Sequence, residues 1–299
     1  VSAALVRTVA ELERLDVGAL PARPEPRRVL MCTPEHFDVV DVKNPFMEGH
    51  VGRVDAARAR AEWEALRRTY EAAGYEVVTI AGAEGLEDMV FAANQSLPGM
   101  GAAGRPYALL SRMRHPSRRR EVPFFREWFA EHGYDILELP DDAGCFEGQG
   151  DALWHPGRQL LWGGHGPRTS PRAYEQISER LGVPVVALAL VHPSFYHLDT
   201  CLCVLGDGAA LYFPGAFDAE GRALLARLFP RLVEVGEREA TRSMACNAHA
   251  LADGAVVIQR GAAETVARLR AEGFRPVEVE TDEFMKSGGS VFCMKVMVY

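Results

Sequence analysis

The residues able to do covalent and proton-transfer chemistry lie in separate stretches of the chain. Glu147 and Asp151 belong to Phe146-Glu-Gly-Gln-Gly-Asp151, His197 and Asp199 to His197-Leu-Asp199, and Asn247 and His249 to Met244-Ala-Cys-Asn-Ala-His249. Cys293 ends Lys286-Ser-Gly-Gly-Ser-Val-Phe-Cys293, and Asn94 ends Val90-Phe-Ala-Ala-Asn94. A cysteine, a histidine and a carboxylate brought together support covalent catalysis. The thiolate attacks, the imidazole moves protons, and the carboxylate orients the imidazole or holds the substrate. Adjacent Gly288 and Gly289 let backbone approach a ligand closely, and the apolar run after them reads as a buried terminal strand carrying Cys293. His197 and Asp199 alternate in a period-2 run to Leu205, which predicts a strand with both side chains on one face. Glu147 sits between an aromatic residue and two glycines, a context of tight backbone packing. Taken singly, a lone cysteine is most often a small core hydrophobe. The case therefore rests on whether the fold makes these stretches converge.

The elements that must position them repeat. After Arg28–Thr33, which reads as a strand, a helix over Asp55–Ala73 is closed by Gly74 and followed by a strand at Tyr75–Ile80. Strand, helix and strand recur at Tyr107–Met113, Pro123–His132 and Tyr134–Leu139, and again at Gln159–Gly163, from Ser170 and Pro171 to Gly182, and at Val183–Val191. They recur at Ala209–Phe213, Asp218–Phe229 and Arg231–Val235, and finally at Ala255–Gln259, Ala262–Glu272 and Pro276–Glu280. Five such rounds are the mark of an internal repeat. They predict a circular α/β arrangement with hairpins at the centre and helices outside, in which the chemistry-bearing stretches meet. The last round lacks a hairpin partner, and the strand at Val29–Cys32 is the candidate to close the circle. An open dinucleotide-binding sheet is disfavoured, because Gly148-x-Gly150 has Leu153 where the third glycine would stand.

Composition excludes several function classes. The 299 residues are 48% hydrophobic, ample for one large domain at 28–299 preceded by an arm at 1–27 that carries Pro21, Pro24 and Pro26. The formal charge of -8 disfavours nucleic acid as a partner and suits a cationic small molecule. No stretch approaches a membrane span, and Val1–Asp16 is charged and amphipathic without a signal-peptide apolar core, so a cytoplasmic location is expected. The six cysteines then read as reduced thiols. Cys201-x-Cys203 has no partner pair and the histidines lack ligand spacing, so neither a metal nor a cofactor is expected.

Together, Phe146-Glu-Gly-Gln-Gly-Asp151, His197-Leu-Asp199 and Lys286-Ser-Gly-Gly-Ser-Val-Phe-Cys293 resemble, in order, the motifs of the guanidino-group modifying enzymes, or penteins. That superfamily includes arginine deiminases, dimethylarginine dimethylaminohydrolases and amidinotransferases. Met31-Cys-Thr-Pro-Glu-His-Phe-Asp38, Asn44-Pro-Phe-Met-Glu-Gly49 and Val90-Phe-Ala-Ala-Asn94 are similar to the branch containing the bacterial arginine dihydrolases.

The resemblance implies an α/β fold of the five-bladed α/β propeller type with pseudo-fivefold symmetry. It also implies a covalent amidino-thioether on Cys293, His197 as general acid and base, and Glu147 and Asp199 as carboxylates for the guanidinium. Family analogy points to Arg118 as a clamp for the substrate carboxylate, with Arg114 and Arg119 as alternatives, and to Asn44 at the amino-acid end. Gly289 and Ser290 would set how closely the substrate carbon approaches the sulfur. Arginine deiminases carry an aspartate where Asn94 stands, a departure that points to a second attack, on citrulline, giving ornithine. The first expectation is a hydrolase acting on arginine or a methylated arginine. An amidinotransferase and a catalytically silent binding module are the alternatives, and homo-oligomerisation is left open.

Overall fold

A computed structural model describes residues 3–101 and 103–299. Val1 and Ser2 of the N-terminal arm, and Ala102 within Gly99–Gly104, lie outside the described residues. The arm contributes a two-residue strand, β1 (Leu5–Val6), and five rounds of strand, helix and strand follow. The first has β2 (Arg28–Cys32), α1 (Ala56–Ala72) and β3 (Glu76–Ile80). The second has a hairpin of β4 (Ser96–Met100) and β5 (Pro106–Leu110), then α2 (Val122–Glu131) and β6 (Asp135–Leu137). In the third, hairpin strands β7 (Ala152–Trp154) and β8 (Leu161–His165) precede α3 (Pro171–Leu181) and β9 (Val185–Ala189). The fourth runs β10 (Leu202–Gly206), β11 (Ala209–Tyr212), α4 (Ala219–Leu228) and β12 (Arg231–Glu234). The fifth runs β13 (His249–Ala250), β14 (Ala255–Gln259), α5 (Ala263–Ala271) and β15 (Arg275–Val279), and β16 (Val296–Val298) ends the chain.

Among the described residues these strands form five separate sheets. In each, the middle strand pairs antiparallel with one neighbour and parallel with the other, across the helical connection. The first round takes its antiparallel partner from the far end of the chain, with Val296 opposite Leu30 and Val298 opposite Arg28, as expected from the incomplete last round. The arm is stitched to the third sheet, where Leu5 lies parallel to Val185.

The helices form where caps and faces agree. The Asp55 carboxylate accepts from the Ala57 and Arg58 amides to open α1, which buries Ala59, Trp63, Leu66 and Tyr70 and is closed by Gly74 at φ +81°. At α3, Ser170 stands at the cap position, but its hydroxyl accepts from the Cys145 amide instead of the helix. The middle strands are buried along all or nearly all of their length, as Ala-Val-Val-Ile-Gln in β14 shows.

Two expectations are corrected. His197–Leu205 is not one strand: Leu198–Thr200 is a 3-10 turn, and β10 begins at Leu202. Asp151 accepts the Leu198 amide and the Thr200 hydroxyl donates to the His197 carbonyl, so side-chain bonds turn the backbone before it can enter the ladder. Likewise Val291–Met294 is a turn, and the terminal strand starts at Val296, leaving Cys293 ahead of it. Asn247 Oδ1 accepts from both the Ser290 and Cys293 amides and holds that turn in place. Gly99 lies in β4, where a Cβ would come within 2.2 Å of the Tyr107 hydroxyl. No helix among the described residues is long and apolar enough to cross a membrane.

Candidate active site

Turns at the ends of the hairpins bring the separate stretches together. The Cys293 side chain is buried, and its thiol donates to Asp199 Oδ2 at 3.0 Å. Asn247 Nδ2 donates to the sulfur at 3.1 Å and to the Asp199 carbonyl at 3.0 Å. Two loops are thereby tied to one sulfur. Burial, reinforced by the Asp199 charge and hydrogen bond, pushes the Cys293 thiol well above its ordinary range, so it is protonated at rest. Burial also pushes Asp199 up, to about 7, and its Oδ1 makes no hydrogen bond within the protein.

His197 adjoins the same turn. Its Nε2 lies 2.7 Å from Glu147 Oε2 and 4.0 Å from Asp151 Oδ2. Burial lowers the imidazole to about 4 against the pull of Glu147, so it is neutral near pH 7. Pairing with a carboxylate assigns its proton to Nε2 and leaves Nδ1 as an acceptor without a partner in the protein. Glu147 is fully engaged: Oε1 accepts the Arg114 amide at 2.9 Å, and Oε2 accepts Arg168 Nη1 at 3.1 Å as well as His197. Burial would raise its pKa, but the bond and charge of His197, then Arg168 and Arg118, outweigh that and hold it below the ordinary range. Asp151 receives the Thr169 hydroxyl at 2.6 Å and the Leu198 amide at 3.0 Å, and burial raises its pKa strongly.

A narrow crevice opens onto Cys293, lined also by Asn44, Asn94, Arg118 and Gly289. Arg118 is buried there, with its guanidinium on Glu121, on Asn94 Oδ1 at 2.9 Å and on the Asp88 carbonyl. Of the two alternatives, Arg114 contributes its backbone amide to Glu147, and Arg119 binds the carbonyls of Met113 and Arg114. Arg118 fixes Asn94 with its oxygen toward the guanidinium, and the Asn94 amide nitrogen has no partner. Asn44 Nδ2 donates to the Ser287 carbonyl at 2.9 Å, joining the N-terminal loop to the Cys293 loop. A Cβ on Gly289 would lie 2.2 Å from the Phe91 ring, and Ser290 is pinned by its hydroxyl to Thr281. A large cavity of about 690 Å³ lies elsewhere: none of Cys293, His197 or Glu147 lines it.

Sequence reasoning missed several members of this neighbourhood. Arg168 braces Glu147 and the Lys43 carbonyl and lies over the Tyr196 ring at 4.8 Å. Lys43 forms an ion pair with Asp88 at 3.1 Å. Gly166-Pro-Arg168-Thr169 lies just after β8, in the round that carries Glu147, and that placement was the available signal.

Over residues 34–299 the chain matches the model of the eukaryotic N,N dimethylarginine dimethylhydrolase family. The chain belongs to this family. It is 39% identical over 282 residues to the N(G),N(G)-dimethylarginine dimethylaminohydrolase of Mycobacterium tuberculosis, covering 93% of this chain and 89% of that protein. It is 38% identical over 273 residues to the bifunctional arginine dihydrolase/ornithine cyclodeaminase ArgZ of Synechocystis sp., covering 91% of this chain. Only 37% of ArgZ is matched, so the chain spans little more than a third of that relative's length. The crystal structure of the ArgZ N-terminal domain bound to product superposes with a TM-score of 0.83 at 37% identity, covering 90% of this chain and 96% of that domain. The mixed α/β fold of the family member is thus that of ArgZ's N-terminal domain.

Proposed function

We propose that the protein is a hydrolase that cleaves a C–N bond in the guanidino group of arginine or a methylated arginine, with Cys293 as nucleophile. The observation that carries this reading is the Cys293 thiol bonded to a buried carboxylate, Asp199, in one neighbourhood with three buried polar atoms that have no protein partner: Asp199 Oδ1, His197 Nδ1 and Asn94 Nδ2. Buried polar groups are almost always paired, and a planar cationic guanidinium offers N–H groups to a carboxylate. The names of the Mycobacterium and Synechocystis relatives, both acting on guanidino compounds, support it.

The bound cation offsets the negative charge of Asp199 and favours the thiolate. His197 Nδ1 takes the thiol proton as sulfur bonds to the guanidino carbon, and it passes that proton to the departing nitrogen as the C–N bond breaks, so the nitrogen leaves as ammonia or a methylated amine. The product of this half is an amidino-thioether on Cys293. His197 next takes a proton from water, the hydroxide adds to the same carbon, and the C–S bond breaks to release a ureido product and restore the thiol. Proton transfer of this kind is worth roughly 10²–10⁴-fold.

Asn94 presents an amide donor where a carboxylate would be an acceptor, and a donor suits the neutral oxygen of a ureido group. The second attack, on citrulline to give ornithine, follows from that. Arg118 and Asn44 hold the amino-acid end, and Gly289 and Ser290 shape the approach to sulfur. The five sheets are the blades of a five-bladed α/β propeller spanning 28–299, with 1–27 as an arm on the third blade. The six unpaired thiols suit a reducing, cytoplasmic setting.

Incubation with arginine, dimethylarginine and citrulline, with and without an amine acceptor, tests the reading by product mass. Turnover in water alone is expected. Dependence on the acceptor would make it an amidinotransferase, and binding without turnover would make it a silent binding module.

A further inference from the structure

Lys295 stands two residues after Cys293, and the steps above do not use it. Its side chain is wholly buried and its Nζ makes no hydrogen bond within the protein. The amine lies over the Phe292 ring, 3.2 Å from the centroid. An aromatic face attracts a cation, but it does not neutralise one, and an unpaired buried ammonium is costly. The titratable groups that face it are Asp199 from the turn before β10, Cys203 from β10, His249 from β13 and Cys293 from its own turn. Burial pushes the amine down to about 7, and Asp199, Cys203 and Cys293 pull it back up.

Charge around the sulfur shows what this amine is for. Cys293 Sγ lies 3.0 Å from Asp199 Oδ2, so forming the thiolate places two negative charges side by side. Tyr196 also interacts with Cys293, and Lys43, Arg118 and Arg168 are the cations of the crevice, Lys43 being paired with Asp88. Both arginines are committed to carboxylates, Arg118 to Glu121 and Arg168 to Glu147. Lys295 has no such partner among the described residues. Its amine overlies Phe292, which lines the large cavity, whereas Cys293 lines the crevice.

We propose that Lys295 is a positioning residue for the nucleophile, its buried ammonium supplying from behind the turn the positive charge that lets Cys293 become a thiolate beside Asp199. This inference rests on Cys293 being the nucleophile. The test is the rate of Cys293 alkylation by iodoacetamide as a function of pH, quantified on the Cys293 peptide, in wild type, Lys295→Met and Lys295→Arg. Loss of the charge is expected to raise the apparent thiol pKa by about one unit, an alkylation rate about 10-fold lower near neutral pH. kcat should fall with it and KM change little. Lys295→Arg should keep most of the wild-type profile, and ethylammonium added to Lys295→Ala should restore part of the rate by way of the cavity. If Lys295→Met is too unstable to study, the Arg profile and the ethylammonium rescue decide. An unchanged alkylation profile, or absence of both retention and rescue, overturns the proposal and leaves Lys295 a packing residue. Wild type incubated with arginine is run alongside. An adduct on Cys293 there with no Lys295 effect sinks only this inference, whereas no wild-type adduct sinks the nucleophile assignment itself.

Discussion

At the scale of single residues, the site is a set of charges that burial has moved toward neutrality. Asp199 at about 7 must ionise to hold a guanidinium, so kcat/KM should rise with pH through an acid limb near 7. In Asp199→Asn that limb should vanish along with most of the activity, as a pH–rate series would show. The neutral His197 has a folded value near 4, below its unfolded value near 6.5. The unfolded chain therefore binds more protons between those values, and His197 costs stability as pH falls from about 6.5 toward 4. Asp199 works in the opposite sense, costing stability as pH rises from about 4 to 7. A His197→Asn protein should thus lose less stability on acidification than wild type in denaturant titrations. At position 94, Asn94→Asp restores the carboxylate of the deiminases, and under the proposed second attack citrulline should then accumulate at the expense of ornithine. Cys293, His197 and Glu147 were legible as candidates because their motifs are local in sequence. Arg168 and Lys295 were not, since an arginine beside Glu147 and an amine behind a thiol acquire meaning only from neighbours distant in the chain.

Among the elements, short turns do the positioning and glycines let them pack. A Cβ on Gly150 would lie 2.2 Å from Asn94 Nδ2 and 3.3 Å from His197 Nδ1. Gly150→Ala should therefore displace both groups and depress kcat well beyond its effect on Tm, since the overpacking itself costs about 1–3 kcal/mol. The Asn247 side chain makes four hydrogen bonds, to Ser290, Cys293 and Asp199 backbone and to the Cys293 sulfur. Asn247→Ala leaves buried amides unpaired, at about 1–3 kcal/mol each. A lowered denaturation midpoint together with a lost Cys293 reactivity is the expected result. Helices such as α1 were predictable to within a residue, because cap, periodicity and closing glycine agree. The turns after His197 and at Val291 were not, because hydrogen bonds from Asp151 and Asn247 override the local alternation.

Over the whole molecule, the repeat was readable because each round buries its own middle strand and helix face. The pairing of the first sheet with the end of the chain was readable because the last round was a strand short. β16 supplies that strand, with Val296 and Val298 wholly buried between the first and second sheets. Val296→Asp should unfold the protein or lower Tm steeply, since a buried carboxylate there has no partner. The same pairing holds Cys293 in register with the loops of the other rounds, so fold and reactivity should fail together. The most direct measurement of the central claim is mass spectrometry of the protein quenched early in its reaction with arginine. The expected result is an amidino mass increment on the Cys293 peptide, absent from Cys293→Ser, which should also be inactive. Product formation by Cys293→Ser at the wild-type rate, with no adduct on any residue in the wild type, would contradict the account.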